Sequence, residues 1–280
     1  MSKIALVTDS AAYLPLDILE QYNITVVPLM VNFGNDSYRE GFDITSDDFY
    51  VRLASEKALP TTSQPVVGEL VTNFERLLKT HDSVIAVLLS SGLSGTVNSA
   101  ETAARMVGGD ISVIDSKITA WGQAYMVLEA AKLREEGLSK DEIVSRLLQL
   151  RDQIGAYFVV DSLEHLHRGG RVSGVSAMLG SLLQVKPVLR VNDGKLEMFE
   201  KVRTRKKALA RVIELMHEKV GTDGKLHASV VYSDVKADGE AFLAQMQDAF
   251  PEAQLELTQL GPVIGTHVGP GLLAVIYAIR

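Results

Sequence analysis

The chain of 280 residues contains no cysteine, and this absence removes several classes of chemistry at once. Disulfide bonds, thiolate metal sites and cysteine nucleophiles are all excluded. No apolar run approaches the ~20 residues that a membrane-spanning helix needs. The first residues, MSKIALVTDS, read as a strand without the organisation of a signal peptide. We therefore expect a soluble, cytoplasmic protein.

The chain also lacks an excess of basic residues, since its formal net charge is −7 at pH 7. Nucleic acid is therefore not an expected partner. The sequence contains neither a P-loop nor a kinase catalytic signature, so it predicts no ATP site. A hydrophobic fraction of 46% with 22% charged residues is ordinary for a globular protein. The length favours two domains.

Strand-like and helical patterns alternate through the first half of the chain, which favours a parallel α/β sheet. The predicted strands of this half are Ile4–Val7, Thr25–Val31, Val84–Leu89 and Ile111–Ile114. The predicted helices are Leu16–Gln21, Ser46–Glu56, Pro65–Lys79, Val97–Val107 and Trp121–Glu136. We place a domain boundary near Ile154, which gives domains of residues 1–154 and 155–280.

The second half is less regular and predicts an α/β domain with a mixed sheet. Its predicted helices are Lys140–Gln153, Ser173–Val185, Arg205–Val220 and Gly239–Ala249. Its predicted strands are Ala156–Val160, Val188–Val191, Glu197–Val202, His227–Tyr232, Gln254–Gln259 and Leu273–Ala278. Asn192-Asp193-Gly194 suits the turn of a hairpin. The predicted fold class is α/β with two domains, the first a parallel sheet between layers of helices.

The segment Val84–Thr96, VIAVLLSSGLSGT, is the first candidate site. A buried strand passes through a Ser/Gly loop into a helix, and open α/β sheets bind ligands at such turns. The loop has no phosphate-binding lysine, and Thr96 replaces the last glycine of a nucleophile elbow. Hydroxyl and amide groups without a fixed cation are suited to hold a small anion.

Three further segments concentrate unusual residues. PTTSQP, from Pro60 to Pro65, carries three hydroxyls, more than a helix cap needs. RGGR, from Arg168 to Arg171, places two cations around two glycines. GPVIGTHVGPG, residues 261–271, predicts a rigid glycine-rich loop around His267.

Three predicted strands end in an Asp-Ser pair: Asp9-Ser10, Asp115-Ser116 and Asp161-Ser162. Capping of turns and helices explains most of these residues, because Asp and Ser accept hydrogen bonds from free backbone donors. A functional alternative is that Asp9 or Ser10 lines a crevice at the sheet edge.

The motifs IALVTDS, PTTSQP, SSGLSGT, VIDSK, LEHLHRGGR, VKPVLR, KVR and GTHVGPG follow one another along the whole chain. In this order they resemble the DegV family of bacterial fatty acid-binding proteins. The resemblance implies two α/β domains with a long-chain fatty acid in an apolar tunnel between them. It also implies a carrier without enzymatic activity or cofactor of its own. Such a carrier presents the carboxylate to a separate ATP-binding fatty acid kinase subunit, and the acyl-phosphate enters phospholipid synthesis.

The resemblance implies roles for individual residues. It implies that Thr62 and Ser94 hold the carboxylate, with Ser63, Gly95 and Thr96 beside them. His267 would lie alongside the carboxylate, and Arg171 would approach the phosphoryl group. The chain departs from the usual family pattern at Val66, Val97, Asn98, His165 and His167.

Hydroxyls and amides at a helix N-terminus can offset the cost of burying a carboxylate. The absence of a fixed cation would leave its oxygen free to attack phosphate. Phosphoryl transfer requires neutralisation of the transferred group, for which Arg171 and His267 are candidates. One predicted helix carries a broad apolar surface, which forms either a tunnel wall or ordinary core. Its residues are Val175, Met178, Leu179, Leu182, Leu183 and Val185.

A basic cluster stands out in this acidic chain: Lys201, Arg203, Arg205, Lys206, Lys207 and Arg211. It is either a solvated face or a docking surface for the kinase subunit, the latter chiefly through Arg203, Arg205 and Lys206.

A serine hydrolase with Ser94 as nucleophile and His267 as base is the enzymatic alternative. A metal site at His165 and His167 lacks an evident third ligand. A purely structural or regulatory binding protein is a further alternative.

Overall fold

The computed structural model describes residues 3–56, 58–171, 186–221 and 225–279. The predicted helix Ser173–Val185, with the apolar residues that we considered for the tunnel wall, lies outside these ranges.

The described residues form strands in both halves of the chain. These are β1 (Ile4–Asp9), β2 (Ile24–Val27), β3 (Met30–Phe33), β4 (Asp36–Arg39), β5 (Thr61–Ser63), β6 (Ser83–Leu88), β7 (Ile111–Asp115), β8 (Ile154–Val159), β9 (Lys186–Asn192), β10 (Lys195–Val202), β11 (Leu226–Tyr232), β12 (Gln254–Gln259) and β13 (Leu273–Ile279).

Helices connect most of these strands. They are α1 (Leu16–Gln21), α2 (Ser46–Ser55), α3 (Val67–Leu78), α4 (Thr96–Val107), α5 (Trp121–Glu135), α6 (Lys140–Arg151), α7 (Glu164–Arg168), α8 (Arg205–Val220), α9 (Lys236–Ala249) and α10 (Pro262–Val268). A short 3-10 turn, Ser10–Ala12, follows β1. Among the described residues, no helix has the length and apolar character needed to cross a membrane.

The N-terminal sheet is parallel, as predicted, with four strands in the order β2-β1-β6-β7. Alternate residues of β1 and β6 face opposite sides, because side chains along a strand alternate. One set packs on α5 and α6, and the other packs on α3 and α4. Burial of both faces explains why these strands are apolar almost throughout.

The predicted strand Thr25–Val31 is wrong as a single element. It divides into β2 and β3 on either side of Pro28-Leu29. Proline has no N–H group for a sheet ladder, so the chain leaves the parallel sheet at this point. The strand β3 then pairs antiparallel with β4 and β5 in a small sheet. Part of the PTTSQP segment thereby becomes a strand, in which Thr62 pairs with Val31.

The C-terminal sheet has six strands in the order β10-β9-β8-β13-β11-β12. It is mixed, as predicted, because β11 and β12 are parallel whereas the other neighbours are antiparallel. One face packs on α8 and α9 through a core that includes Val159, Val230 and Val275. The opposite face turns toward the N-terminal half of the chain, and residues of both halves share one core cluster there.

Two helices were not predicted, one in a segment without an assigned element and one in the predicted glycine-rich loop. Residues 164–168 form α7 before the two glycines of RGGR. Residues 262–268 form α10, with Pro262 in the first turn, where its missing N–H costs nothing. The predicted hairpin is confirmed, because β9 and β10 pair around Asp193 and Gly194, both at positive φ. The boundary near Ile154, where β8 begins, stays a prediction.

Candidate functional site

A cavity of about 310 Å³ lies between the C-terminal sheet and the N-terminal half of the chain. Its volume falls in the range of ~300–1,000 Å³ that is typical of small-molecule sites. The sheet supplies one apolar wall, made of Ala156, Phe158, Val191, Leu196, Val231, Ala274 and Ile276. The opposite wall includes Leu29, Leu89, Leu93, Ile118 and Ala120. Such walls suit an apolar ligand.

Most of the predicted site residues meet at a polar part of this cavity. Thr62, Ser63, Ser94, Gly95, Arg171 and His267 all belong to its lining. They come from segments that are far apart in sequence, and only the tertiary fold brings them together.

Thr62 and His267 form a direct contact across the two halves of the chain. The Thr62 Oγ1 atom lies 2.8 Å from His267 Nε2, a hydrogen-bond distance. The other ring nitrogen, Nδ1, is buried and has no hydrogen-bond partner among the described residues. Burial, together with the nearby positive charge of Arg171, lowers the pKa of His267 from 6.5 to about 4. The imidazole is therefore neutral near pH 7.

Ser94 lies in the loop between β6 and α4. Its Oγ is 2.9 Å from the hydroxyl of Thr96, which is completely buried at the start of α4. Gly95 is the N-cap residue of this helix and has no side chain with which to cap it. A Cβ at Gly95 would clash with the side-chain oxygen of Gln64. The Ser94 hydroxyl thus lies beside the positive end of a helix dipole.

Two other motifs hold this loop in place. The carboxylate of Asp115, in VIDSK, accepts hydrogen bonds from the N–H of Ser91 at 3.2 Å and its hydroxyl at 2.5 Å. From the other domain, the tip of the β9–β10 hairpin contacts the loop, because Ser90 Oγ donates to the carbonyl of Gly194 at 2.7 Å. Lys117 and Asp193 form an ion pair beside this contact.

Arg171 is exposed at the cavity, immediately after the two glycines of RGGR. Its guanidinium donates to the carbonyl oxygens of Gly169 at 2.6 Å and Leu93 at 3.4 Å. A Cβ at Gly169 would clash with Nδ1 of His267, so only glycine allows the chain to pass this close to the ring. Arg171 therefore lies next to both the Ser94 loop and His267.

The helix α10 carries His267 and is seated among aromatic side chains of the N-terminal half. Gly261 and Gly265 are four residues apart and share one helix face. A Cβ at Gly261 would clash with the ring of Tyr13, and one at Gly265 would lie 2.6 Å from the hydroxyl of Tyr50. Close packing of the helix, rather than loop flexibility, thus explains these two glycines.

Two buried carboxyl groups lie near the start of α10. Asp9 accepts hydrogen bonds from the N–H groups of Leu89 and Ala11, at 2.7 and 3.0 Å. Glu40 accepts one from Ser10 Oγ at 2.6 Å. Burial raises the pKa of Asp9 to about 6 and that of Glu40 to about 7.

Asp9 and Ser10 are not in the lining of the Thr62–His267 cavity; they border a second one, of about 630 Å³. Asp9 caps the 3-10 turn after β1. Ser162 similarly accepts a hydrogen bond from the N–H of Glu164 at 3.1 Å. The capping interpretation of the Asp-Ser pairs is therefore confirmed for these residues.

The basic cluster is partly engaged within the molecule. Arg205 donates to Asp161 Oδ1 at 2.9 Å, to the carbonyl of Gly271 at 2.6 Å and to Asp238 Oδ2 at 3.1 Å. Arg211 pairs with Glu200, Glu214 and Glu218. The remaining side chains of the cluster, Lys201, Arg203, Lys206 and Lys207, are exposed.

The structure gives no support to the enzymatic alternative. A hydrolase base must contact its nucleophile, but His267 contacts Thr62 and Ser94 contacts Thr96. Within the described residues, no group of three or more His, Cys, Asp or Glu side chains is arranged to hold a metal ion. His165 instead has its Nδ1 3.1 Å from the carbonyl oxygen of Thr266.

Comparison with known proteins identifies the family. A family described as "Uncharacterised protein, DegV family" matches residues 3–280. The chain belongs to the DegV family. A DegV domain-containing protein of Listeria monocytogenes is 42% identical over 280 residues, covering 99% of each chain.

Solved DegV structures share the whole fold. The crystal structure of Bacillus subtilis DegV, described as a fatty acid binding protein, has a TM-score of 0.93 and 39% identity, with 100% of both chains covered. A stearic acid-binding protein from Eubacterium ventriosum has a TM-score of 0.91 and 31% identity, covering 100% of this chain and 98% of its own. The two-domain α/β architecture is thus that of DegV proteins.

Sequence reasoning missed several contributors to the site. Gln64 lines the cavity and donates from Nε2 to Ser99 Oγ at 2.7 Å. The apolar wall from the C-terminal sheet was also missed, although the alternation of its strands marks one face as apolar. Glu40 gave no local signal, because its partners lie 30 and 223 positions away in the chain.

Proposed function

We propose that this protein binds a long-chain fatty acid in the cavity and presents its carboxylate to an ATP-dependent kinase subunit. The observation that carries the proposal is the combination of long apolar walls with two hydroxyl groups, Thr62 and Ser94, in one cavity. The described properties of the Bacillus subtilis and Eubacterium ventriosum proteins support the ligand class. The acyl chain would lie along the C-terminal sheet.

The neutral state of His267 gives Thr62 a defined role in carboxylate binding. When His267 is protonated at Nε2, it donates to Thr62 Oγ1 across the 2.8 Å contact. The Thr62 hydroxyl proton is then free to point toward a carboxylate oxygen. Ser94 supplies a second hydroxyl, and Thr96 orients it across 2.9 Å. Charge-assisted hydrogen bonds of this type are the stronger ones in proteins.

Arg171 is assigned to the phosphoryl group rather than to the carboxylate. It lies at the exposed side of the cavity, and its guanidinium can pair with the oxygens of a phosphoryl group. A carboxylate held by hydroxyls keeps an oxygen available for attack on the γ-phosphate of ATP bound to the partner. The products would be the acyl-phosphate, still bound here, and ADP on the kinase.

The exposed part of the basic cluster is the docking surface that we propose for the kinase subunit. Arg203 and Lys206 are exposed and suited to meet an acidic surface. Arg205 belongs to the predicted docking surface, and its three intramolecular contacts give it a role in joining α8 to the loops around it. We therefore assign it a structural contribution to this surface.

Native mass spectrometry of the protein purified from bacteria tests the ligand directly. We expect one fatty acid per chain, identified by lipid extraction after denaturation. The purified chain with ATP alone should form no acyl-phosphate, whereas addition of the kinase subunit should produce it. An empty protein that also fails to take up palmitate or oleate would contradict fatty acid binding. Turnover without a partner would contradict the carrier assignment.

A further inference from the structure

The first turn of α10 has its backbone donors satisfied by side chains from the other half of the chain. Gly261 provides no side-chain cap for this helix. Instead, the N–H of Val263 donates to Glu40 Oε1 at 2.7 Å. The N–H of Ile264 donates to the Tyr13 hydroxyl at 3.3 Å. That hydroxyl in turn donates to Glu40 Oε1 at 3.2 Å.

Both carboxyl oxygens of Glu40 accept hydrogen bonds. Its side chain is almost completely buried, with 1% exposure. Ser10 Oγ donates to its Oε2 at 2.6 Å and accepts the N–H of Leu29 at 3.0 Å. The Glu40 N–H donates to the carbonyl of Leu29 at 2.9 Å. The carboxyl group therefore has one position, defined by the strand β3 region and the turn after β1.

Burying a carboxyl group between two parts of a protein has a high cost in desolvation free energy. Apolar residues of the same volume often fill such a site at lower cost, since desolvation of a carboxylate can exceed the gain from its contacts. Beyond packing, Glu40 orients the helix, because its Oε1 accepts the N–H of Val263 and also the hydroxyl of Tyr13, which in turn accepts the N–H of Ile264. His267 lies four residues after Val263, about one helical turn away, so the orientation of the first turn sets the place of the imidazole.

From this geometry we infer that Glu40, assisted by Tyr13, is the positioning residue for His267. It holds α10 so that the imidazole remains within hydrogen-bond distance of Thr62. The consequence for ligand binding rests on the proposed function, whereas the positioning of the ring does not. Glu40 is not itself among the residues that line the cavity, but its hydrogen bonds reach two that do, Leu29 and Val263.

Two substitutions of Glu40 distinguish loss of its hydrogen bond to Val263 from loss of its charge. Glu40→Gln keeps an oxygen at the Oε1 position for Val263, and its amide can donate to Ser10. Glu40→Ala leaves the Val263 N–H without this acceptor. We expect Glu40→Ala to change the ring nitrogen signals of His267 in long-range ¹H–¹⁵N NMR spectra, because the Thr62 contact is lost. Glu40→Gln should keep them near those of the wild type.

Affinity for palmitate provides the second readout. We expect Glu40→Ala to weaken binding about tenfold, as loss of one well-placed hydrogen bond does, and Glu40→Gln to restore most of it. Ile143→Ala serves as a matched control, since Ile143 is completely buried on α6, in a different core cluster. This variant should lose stability without any change in the His267 signals.

The outcomes distinguish positioning from stability and from the ligand assignment. If Glu40→Ala leaves the His267 signals unchanged, or if Ile143→Ala changes them equally, the positioning role is wrong. If Glu40→Ala does not fold, Tyr13→Phe removes the Ile264 acceptor and should shift the same signals by a smaller amount; unchanged signals there would reject the inference. A wild-type protein that binds no fatty acid would contradict the proposed function, while the NMR comparison would still decide the role of Glu40.

Discussion

A neutral imidazole, that of His267, contacts the Thr62 hydroxyl at the anion site that we propose. A protonated histidine would attract a carboxylate strongly, but burial and the neighbouring positive charge of Arg171 lower the pKa of His267 to about 4. The ring therefore acts through the 2.8 Å contact to Thr62 rather than through charge. In our proposal the hydroxyl groups, rather than a charged ring, therefore recognise the carboxylate of the ligand.

Replacement of Thr62 tests whether its hydroxyl group contributes to ligand binding. Valine has nearly the same shape as threonine and suits a strand, so Thr62→Val should fold normally while removing the hydroxyl. We expect its fatty acid affinity to fall by ~10–100-fold, the range for a hydrogen bond to a charged group. Isothermal titration with palmitate measures this. Thr62→Ser keeps the hydroxyl and should bind within about threefold of the wild type; equal affinities for all three proteins would refute the role.

Glu40 should leave a signature in the pH dependence of stability. Burial raises its pKa from 4.5 to about 7, so the protonated form is favoured in the folded state. Its contribution is complete below pH 4.5 and is lost as the pH rises through about 7. In Glu40→Gln that loss is absent. Wild-type stability should therefore fall relative to the variant by on the order of 3 kcal/mol between these limits.

Urea unfolding of both proteins at pH 4.5 to 7.5 gives this difference. The opposite contribution of His267, whose folded pKa is lowered, cancels in the comparison because both proteins contain it. Asp43→Asn is the control. Its hydrogen bonds and ion pair with Arg39 lower the pKa of Asp43 to about 2, so its titration lies below this window. A difference between Glu40→Gln and wild type that does not vary with pH would contradict the assignment.

Among the elements, the hairpin β9–β10 has a function beyond the C-terminal sheet. Its tip accepts the hydrogen bond from Ser90 and so supports the loop that carries Ser94. The turn needs Gly194, which has a φ of +78° and lies so close to Ser90 that a Cβ would clash with the hydroxyl. The hairpin therefore couples a distant part of the chain to the loop that carries Ser94.

Gly194→Ala should weaken both stability and ligand binding. We expect a loss of ~1–3 kcal/mol in unfolding free energy from backbone strain and the clash, with a several-fold lower palmitate affinity. Gly34→Ala provides a matched control. Its φ is +60°, but an added Cβ there meets no described atom within 4 Å. The control should lose stability and retain affinity; if both variants bind palmitate as the wild type does, the hairpin does not support the loop.

At the scale of the whole molecule, ligand binding and partner binding use different surfaces in our proposal. The cavity lies between the two domains, whereas the exposed cations Arg203 and Lys206 lie at the junction of β10 and α8. Separate surfaces allow the ligand to be retained while the kinase subunit associates and dissociates.

Charge reversal separates these two properties. We expect the double variant Arg203→Glu and Lys206→Glu to bind palmitate normally but to lower the rate of kinase-dependent phosphorylation at least tenfold, more at low salt than at high salt. Lys79→Glu with Arg146→Glu changes the net charge equally at exposed positions of the N-terminal half. This control should retain the wild-type rate. Equal rates for the two double variants would place docking elsewhere.

Periodicity and turn residues predicted most elements of the fold. The helices Leu16–Gln21 and Arg205–Val220 and the strand Gln254–Gln259 have the predicted bounds, because local patterns of apolar residues specify them. The family motifs likewise selected Thr62, Ser94, Arg171 and His267, all of which line one cavity. Their individual roles in ligand binding stay predictions.

What the sequence by itself determined is the class of fold, the family and the residues at the polar part of the cavity. What only the tertiary structure decided is how those residues are held. The helix α10 replaced a predicted loop because Pro262 can start a helix whose first amides find acceptors on Tyr13 and Glu40. Glu40 is 223 positions from Val263 in the chain. Contacts over such separations leave no local pattern, because they depend on the packing of two domains rather than on neighbouring residues.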